Sequence, residues 1–258
     1  MKAKQFVLRS LLLLVVSQGI VSCVYKSGSW ENGPRVVQSR QLKGFDKIEV
    51  YGSPSVYFFQ ADVFSVNVKG PEDKVDKIIT TVEDGTLIIR NKGKIGMFNV
   101  SFGDMGGISV HVGSPDLTSV SLNGSGDFVC TGNLDTDHMR ISLRGSGDMT
   151  FDKIICDDCV TELVGSGDIM LKRLDALSSE ISLIGSGDVE VSQWNVRDTD
   201  ISLRGSGDIT VHFREGCKTV DCQLNGSGDI YLEGEVEQMN KHKIGSGDID
   251  TDELVIGK

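Results

Sequence analysis

The sequence predicts an all-β protein built as a parallel β-solenoid, and three observations lead to that fold class. The tetrapeptide Gly-Ser-Gly-Asp occurs seven times, at steps of 21, 20, 20, 20, 21 and 19 residues. A nearly fixed period of this length is typical of one structural unit stacked on copies of itself. Apolar and polar residues alternate on both sides of each copy. Finally, 31 glycines against 4 prolines suit a chain with many tight corners.

The alternation defines each repeat as two strands joined by a corner. In the first six copies the residues two and four positions before the first glycine, and four and six positions after it, are apolar with the exception of Thr161. The residues two positions before are Leu122, Leu143, Leu163, Leu183, Leu203 and Leu224. A period of two is the mark of a strand with one buried face. A looser return segment follows, with a further apolar contact predicted at Leu134, Leu174 and Trp194.

The corner residues suit a sharp change of direction. Glycine reaches backbone angles that other residues avoid, and aspartate readily accepts hydrogen bonds from nearby backbone N–H groups. Hairpins of an antiparallel barrel are an alternative, but identical offsets from copy to copy favour equivalent strands stacked roughly 4.8 Å apart. Seven coils then give a rod on the order of 34 Å long. The coil length favours a right-handed β-helix over the left-handed hexapeptide kind.

Stacking also predicts a column of aspartates beside a column of serines that runs from Ser125 to Ser246. The aspartates are Asp127, Asp148, Asp168, Asp188, Asp208, Asp229 and Asp248. Like charges about 5 Å apart repel unless something compensates them. Calcium between coils is one solution. The other, which we favour, is that each carboxylate accepts backbone N–H groups of its own corner.

Both ends of the predicted solenoid, residues 116–258, depart from the pattern. In the last coil Lys241 and Lys243 replace an apolar pair, and charged residues at a solenoid end discourage stacking between molecules. Residues 44–115 are predicted to be a less regular β region of the same scaffold. There the segment Gly52-Ser53-Pro54-Ser55 has the offsets of an eroded first corner, and Glu72 to Thr80 is predicted to form a short helix.

The N-terminus has the pattern of an export signal. Basic residues precede a short apolar run from Leu11 to Val16, and Ile20-Val21-Ser22-Cys23 follows. We expect residues 1–22 to be a lipoprotein signal peptide, Cys23 to be lipidated, and residues 23–43 to be a tether. The apolar run is shorter than the roughly 20 residues that a transmembrane helix needs. Val24 rather than Asp follows Cys23, which argues against retention at the inner membrane. The predicted location is therefore the outer membrane, lipid-anchored, and the sequence leaves open which face of that membrane the protein occupies.

The net charge limits the classes of partner that the protein can bind, and the cysteines indicate which thiols could form a disulfide or hold a metal. A net charge of −11 disfavours nucleic acid and anionic lipid surfaces. Cys130 and Cys222 fall on inward positions and are expected to be buried thiols. Cys156 and Cys159 form one Cys-x-x-Cys, a weak zinc or redox signal, and a disulfide is possible there or between Cys217 and Cys222.

Two segments before the repeats, together with the repeated corners, match the sequence pattern of a known protein family. The chain opens its body with Arg40-Gln-Leu-Lys-Gly44-Phe45-Asp-Lys-Ile-Glu-Val50 and continues with Val-Glu-Asp84-Gly85-Thr-Leu87-Ile-Ile before the repeated corners. In these features it resembles the head GIN domain family of auto-transporter adhesins from Bacteroidota. The resemblance covers nearly all of the chain after Cys23. It implies a lipid-anchored β-helical adhesin and supplies no catalytic residues.

No catalytic constellation stands out in the sequence. Parallel β-helices include polysaccharide lyases and hydrolases, but their sites lie under long irregular loops, whereas these coils are short and uniform. The return-segment aspartates are expected to be solvated turn residues; they are Asp135, Asp137, Asp157, Asp158, Asp198 and Asp200. Histidines 111, 138, 212 and 242 are expected on the surface. We expect a non-enzymatic adhesin that contacts a host or envelope protein or glycan; the alternatives are a periplasm-facing scaffold or sensor and a glycan-processing enzyme.

Overall fold

The computed structural model describes residues 34–92 and 107–257. Its N-terminal elements are β1 (Arg35–Arg40), β2 (Lys47–Gly52), β3 (Ser55–Gln60), β4 (Ser65–Pro71), α1 (Glu72–Val75), β5 (Ile78–Glu83), β6 (Thr86–Asn91) and β7 (Ser109–Ser114). The repeats form β8 (Ser119–Gly124), β9 (Phe128–Asp135), β10 (His138–Gly145), β11 (Met149–Ile155), β12 (Asp158–Gly165), β13 (Ile169–Asp175), β14 (Ser178–Gly185), β15 (Val189–Trp194), β16 (Asp198–Gly205), β17 (Ile209–Gly226), β18 (Ile230–Gly245) and β19 (Ile249–Ile256).

The repeats form a parallel β-solenoid of about 7 turns, which confirms the predicted fold class. Strands that precede the corner stack in register as one sheet, here called the leading sheet: β8, β10, β12, β14, β16 and the later parts of β17 and β18. Strands that follow the corner form the trailing sheet: β3, β9, β11, β13, β15, the earlier parts of β17 and β18, and β19. Since equivalent strands are parallel, the antiparallel barrel is excluded.

The core lies between the two sheets and consists of the predicted inward positions. The six leucines before the corners are paired in register and are at most 1% exposed. In the trailing sheet Phe58, Phe128 and Phe151 stack in consecutive coils, with ring centroids 6.5 and 5.6 Å apart. Burying each such side chain stabilises the fold by about 1.5–3 kcal/mol, so the columns hold the coils together.

Each coil has two bends besides the corner. In β11 neither Asp152 nor Lys153 is buried, and this break in the alternation marks the second bend. The third bend joins the trailing strand to the next leading strand, as at Asp157 between β11 and β12. Register shifts between neighbouring coils occur at the second and third bends, whereas the corners remain in phase.

The eroded first corner at Gly52 is in register with the repeats, as predicted. Gly52 pairs with Gly124, and Val56 and Phe58 pair with Phe128 and Cys130. The stacking order, however, differs from the chain order. The coil of β2 and β3 lies between the coil of β6 and β7 and the coil of β8 and β9. Antiparallel strands follow at this end: β5 pairs with β6, β4 with β7, and β1 with β4.

Two predictions for the N-terminal region need correction. Residues 35–40, placed in the tether, form β1, whose backbone hydrogen bonds to β4 make it part of the folded body. The helix predicted from Glu72 to Thr80 is a single turn that ends at Val75, and Ile78 begins β5. The β-branched run from Ile78 to Val82 favours a strand and forms a hairpin with β6 through Asp84 and Gly85.

The C-terminal coil is exposed where its core should continue. Lys241 and Lys243 pair with Cys222 and Leu224, yet both lysines are exposed.

Cys130, Cys156, Cys159, Cys217 and Cys222 are all buried free thiols. The predicted signal peptide and the predicted lipidation site Cys23 lie outside the described residues. In residues 34–92 and 107–257 no helix is long and apolar enough to cross a membrane.

Candidate contact surface

The corners explain why both glycines of the tetrapeptide are needed. A Cβ atom on Gly165 would lie 2.0 Å from the carbonyl oxygen of Gly145 in the preceding coil, and one on Gly167 would lie 1.9 Å from that of Gly147. Gly165 also has a φ of +146°. Stacked corners therefore approach so closely that a side chain on either glycine would push the coils apart.

The aspartates of the corners bind the next coil rather than their own. Oδ1 of Asp148 accepts a hydrogen bond from the backbone N–H of Asp168 at 3.1 Å, and Asp168 does the same for Asp188 at 3.0 Å. The pattern continues from Asp188 to Asp208, from Asp208 to Asp229 and from Asp229 to Asp248. The prediction that each carboxylate caps its own corner is wrong for these positions, because the stacked N–H of the following coil points at it.

The last aspartate of the column, Asp248, accepts a backbone N–H of its own coil. Asp248 accepts the backbone N–H of Ile249 at 3.0 Å and the Nζ of Lys243, also at 3.0 Å. At the other end the Ser55 hydroxyl lies 3.4 Å from Oδ2 of Asp127, where the eroded corner has serine instead of aspartate. Thus a backbone N–H donates to one oxygen of most carboxylates in the column. In residues 34–92 and 107–257 no three His, Cys, Asp or Glu side chains are grouped to hold a metal.

The aspartates of the return segments and the histidines lie on the outer surface, where they do not converge on a single site. His138 contacts Asp158 at 2.6 Å, and this hydrogen bond raises the pKa of the imidazole. His212 lies 2.5 Å from Glu233 and 3.8 Å from Glu190. The hydrogen bond from His212 lowers the pKa of Glu233. The contacts of His138 with Asp158 and of His212 with Glu233 join equivalent positions of neighbouring coils, whereas Glu190 is a diagonal neighbour of His212. This is the arrangement of cross-strand ion pairs on a sheet.

Trp194 does not occupy the core position that its spacing predicts. Between Leu171 and Leu174 the chain of β13 has two residues, but between the matching Val191 and Gln193 it has only one. Gln193 therefore pairs with Leu174 and is 1% exposed, and Trp194 pairs with Asp175 on the outer side. Because side chains alternate between faces, a shift of one residue exchanges inside and outside.

The displaced ring forms a fixed platform with its neighbours. The guanidinium of Arg173 lies 4.7 Å from the Trp194 ring centre. Asp175 holds this guanidinium through Nε at 2.9 Å and Nη2 at 3.2 Å, and it also contacts Lys153 at 3.3 Å. Burial alone would raise the pKa of Asp175, but the hydrogen bonds from Arg173 and Lys153 outweigh it and the pKa is lowered. We call Arg173, Asp175 and Trp194 the tryptophan platform.

A groove of about 310 Å³ begins beside this platform. It runs along the third bends of three successive coils, formed by residues 195–197, 215–218 and 235–237. Asn195, directly after Trp194, has a φ of +60° and accommodates the residue that the second bend lacks. Sequence reasoning missed this site; the signal that could have suggested it is Asn195-Val196, where asparagine tolerates the left-handed conformation.

Comparison with known proteins identifies the family. The model of the family described as "Putative auto-transporter adhesin, head GIN domain" matches residues 44–219. The chain belongs to this family. No curated protein matches it.

Solved structures agree with the head GIN family fold. A "putative adhesin" from Bacteroides fragilis has a TM-score of 0.65 and 21% identity, over 86% of this chain and 96% of its own. A "putative lipid binding protein" from Parabacteroides distasonis has a TM-score of 0.67 and 21% identity, over 85% and 98%. A "putative adhesin" from Parabacteroides merdae has a TM-score of 0.60 and 18% identity, over 85% and 98%. At such identities the likeness establishes the fold alone.

Proposed function

We propose that this head GIN protein is a non-enzymatic adhesin, anchored to the outer membrane by a lipid on Cys23, whose solenoid contacts a protein or glycan. The observation that carries the proposal is the alignment of outward side chains. Equivalent positions of the trailing sheet bring Tyr57, Met170 and Tyr231 into one column along the stack, and each is 39–40% exposed. The positions between them in the column are Val129, Thr150, Glu190 and Thr210. This face therefore combines spaced apolar and aromatic side chains with polar ones, and amphipathic side chains such as tyrosine are enriched at contact sites.

The corner geometry and the names of relatives support a contact role over catalysis. The corner carboxylates, which could have served as paired acids and bases, instead accept hydrogen bonds from backbone N–H groups of the next coil. Catalytic carboxylates need distinct environments that separate their pKa values, and the corner provides the same environment in each coil. The family and two of the similar structures have adhesin in their names.

A periplasm-facing scaffold or sensor is the second candidate function. It is favoured by the residues after the predicted lipidation site, Val24-Tyr25-Lys26-Ser27-Gly28, which lack the acidic residues common in surface lipoproteins of this bacterial group. The two candidates share the anchor and the fold. They differ in which side of the outer membrane the solenoid faces.

Protease treatment of intact cells separates the two. We expect digestion of the solenoid in intact cells while a periplasmic control protein stays whole, and release of the protein from the membrane fraction in the Cys23→Ser variant. Protection of the solenoid until the outer membrane is opened would refute external adhesion and favour the scaffold or sensor. Retention of Cys23→Ser in the membrane fraction would refute the lipid anchor.

A further inference from the structure

We propose that the groove beside the tryptophan platform binds a neutral carbohydrate of one or two sugar units. The inference rests on the proposed function, a contact with protein or glycan, and assigns its ligand class and place. The groove has a buried apolar floor formed by Val196, Cys217 and Val236, which are 2%, 6% and 2% exposed. Its volume of about 310 Å³ lies at the lower end of small-molecule sites.

The walls of the groove carry hydrogen-bonding groups of both signs. Glu215 and Glu237 supply carboxylates, Arg197 and Lys218 supply cationic donors, and Asn195 supplies an amide. The carboxylate and amide oxygens accept hydrogen bonds from hydroxyl groups, and the amide and cationic nitrogens donate to them. With Glu235, the lining has three acidic and two basic side chains, which disfavours an anion. Its mixture of hydrogen-bond donors and acceptors suits a neutral polyhydroxylated ligand.

The tryptophan platform supplies the apolar part of sugar recognition. Trp194 is half-buried and directly precedes Asn195, the first residue of the groove lining. One sugar face presents C–H groups that pack on an aromatic ring, while its hydroxyls project from the rim. Arg173 over the ring and Asp175 on the guanidinium fix this ring before any ligand binds. A ring held in this way loses little conformational entropy on binding, which favours affinity.

The register of β15 lowers the stability of the fold, because it buries Gln193 in place of Trp194. This indicates that Trp194 lies on the outer surface for a reason other than stability. Gln193 takes the core position, where its Oε1 accepts the hydroxyl of Thr199 at 2.9 Å. Its Nε2 is buried and has no hydrogen-bond partner in the described part of the chain. A buried unpaired amide destabilises a fold, and a large aromatic side chain would stabilise the same position. Local departures from a foldable pattern are expected at functional sites.

A sugar fits this site better than a protein surface does. Stable protein–protein interfaces bury roughly 1,200–2,000 Å², whereas three short bends line the groove. The groove alone is therefore too small to hold a folded partner.

Tryptophan fluorescence tests the assignment directly, because the chain has two tryptophans. A Trp30→Phe variant leaves Trp194 as the sole reporter. The probes are the methyl glycosides of glucose, galactose, mannose and the two common N-acetylhexosamines, with their disaccharides. We expect at least one probe to change the fluorescence saturably, and that probe to show saturation-transfer NMR signals. No saturable response to any of these probes would overturn the assignment.

Variants locate the binding. We expect Trp194→Ala and Glu215→Gln each to weaken binding of that probe at least tenfold by saturation-transfer NMR. Phe59→Ala, which removes an exposed aromatic ring in the distant coil of β3, should leave it unchanged. Glu215→Gln keeps the test valid if Trp194→Ala fails to fold. Unchanged affinity in a folded Trp194→Ala or in Glu215→Gln would overturn the assignment.

Adhesion of intact cells separates failure of the groove from failure of the proposed function. If the cells adhere through this protein but the isolated protein binds no sugar probe, the groove assignment falls and adhesion stands. If the solenoid proves to face the periplasm and the isolated protein binds a sugar through Trp194, external adhesion falls and the groove assignment stands.

Discussion

Gln193 lies in register with Leu174, so a polar side chain continues a core column that is apolar in the neighbouring coils. Its partner Thr199 is 2% exposed and donates its hydroxyl to Oε1 of Gln193. Because the repeats that contain β13 and β15 have the same length, the repeat spacing alone does not reveal that Gln193 takes the core position. The residue that β13 has at the second bend is moved in the next coil to the third bend, at Asn195.

We expect this buried pair to be replaceable only as a unit. Thr199→Val removes the partner of Oε1 and leaves the whole Gln193 amide unpaired, which should lower the free energy of unfolding by about 1–3 kcal/mol. The double variant Gln193→Leu/Thr199→Val replaces both partners with apolar groups and should be as stable as the parent or more so. Urea unfolding measures both, and a double variant less stable than Thr199→Val would contradict the prediction.

Because the corners stack closely, we expect a single added methyl group to lower the free energy of unfolding strongly. Gly167→Ala places a Cβ atom 1.9 Å from the Gly147 carbonyl oxygen, so two coils must separate. We expect it to destabilise the fold by roughly 3 kcal/mol or more. Gly132→Ala is the matched control, because Gly132 has a φ of +79° but nothing within 4 Å of an added Cβ. Its expected cost is about 1–2 kcal/mol, and equal effects of the two substitutions in urea unfolding would refute the stacking argument.

The aspartate column should depend on its oxygen acceptors and not on its charges. Asp188→Ala removes the acceptor for the Asp208 N–H and should cost about 1 kcal/mol. Asp188→Asn keeps an acceptor oxygen and relieves repulsion from neighbouring carboxylates, so at low ionic strength it should be at least as stable as the parent. Thermal unfolding at low and high salt checks this. The interpretation fails if asparagine destabilises as much as alanine does.

Calcium should not be needed to hold this column together, since backbone donors already bind one oxygen of most carboxylates. We expect the melting temperature to stay the same in calcium and in excess chelator. A rise of several degrees with calcium, reversed by chelator, would instead show that the ion bridges the coils.

Asp175 predicts a pH dependence with a definite sign. Burial alone would raise its pKa, but hydrogen bonds from Arg173 and Lys153 lower it below the usual value of 3.8. A lowered pKa in the folded state stabilises the protein above the unfolded-state pKa, and this contribution is lost as pH falls through the folded-state pKa. Asp175→Asn should therefore cost about 1–2 kcal/mol at pH 7 and progressively less below about pH 4.

Urea unfolding of both proteins from pH 7 down to the acid limit of the folded state tests this prediction. Asp152→Asn is a suitable comparison, because Asp152 also has a lowered pKa but is more exposed, at 40% against 14% for the Asp175 side chain. Its effect should be smaller at every pH. A loss in Asp175→Asn that is the same at pH 7 and in acid would rule out the charge as its source.

The local pattern of the sequence was sufficient for the solenoid itself. The offsets of Leu143, Gly145 and Met149 recur in the first six copies, and equal offsets bring equal residues together only when parallel coils stack. The eroded corner at Gly52 could be recognised for the same reason.

Tertiary contacts decided the rest, because they join residues that are about twenty or more positions apart. They place the coil of β2 and β3 between two later coils, and they direct each corner aspartate to the next coil. They also choose Gln193 over Trp194 for the core. Two repeats of equal length can take their extra residue at either bend, and only packing against the neighbouring coil determines which bend accommodates it.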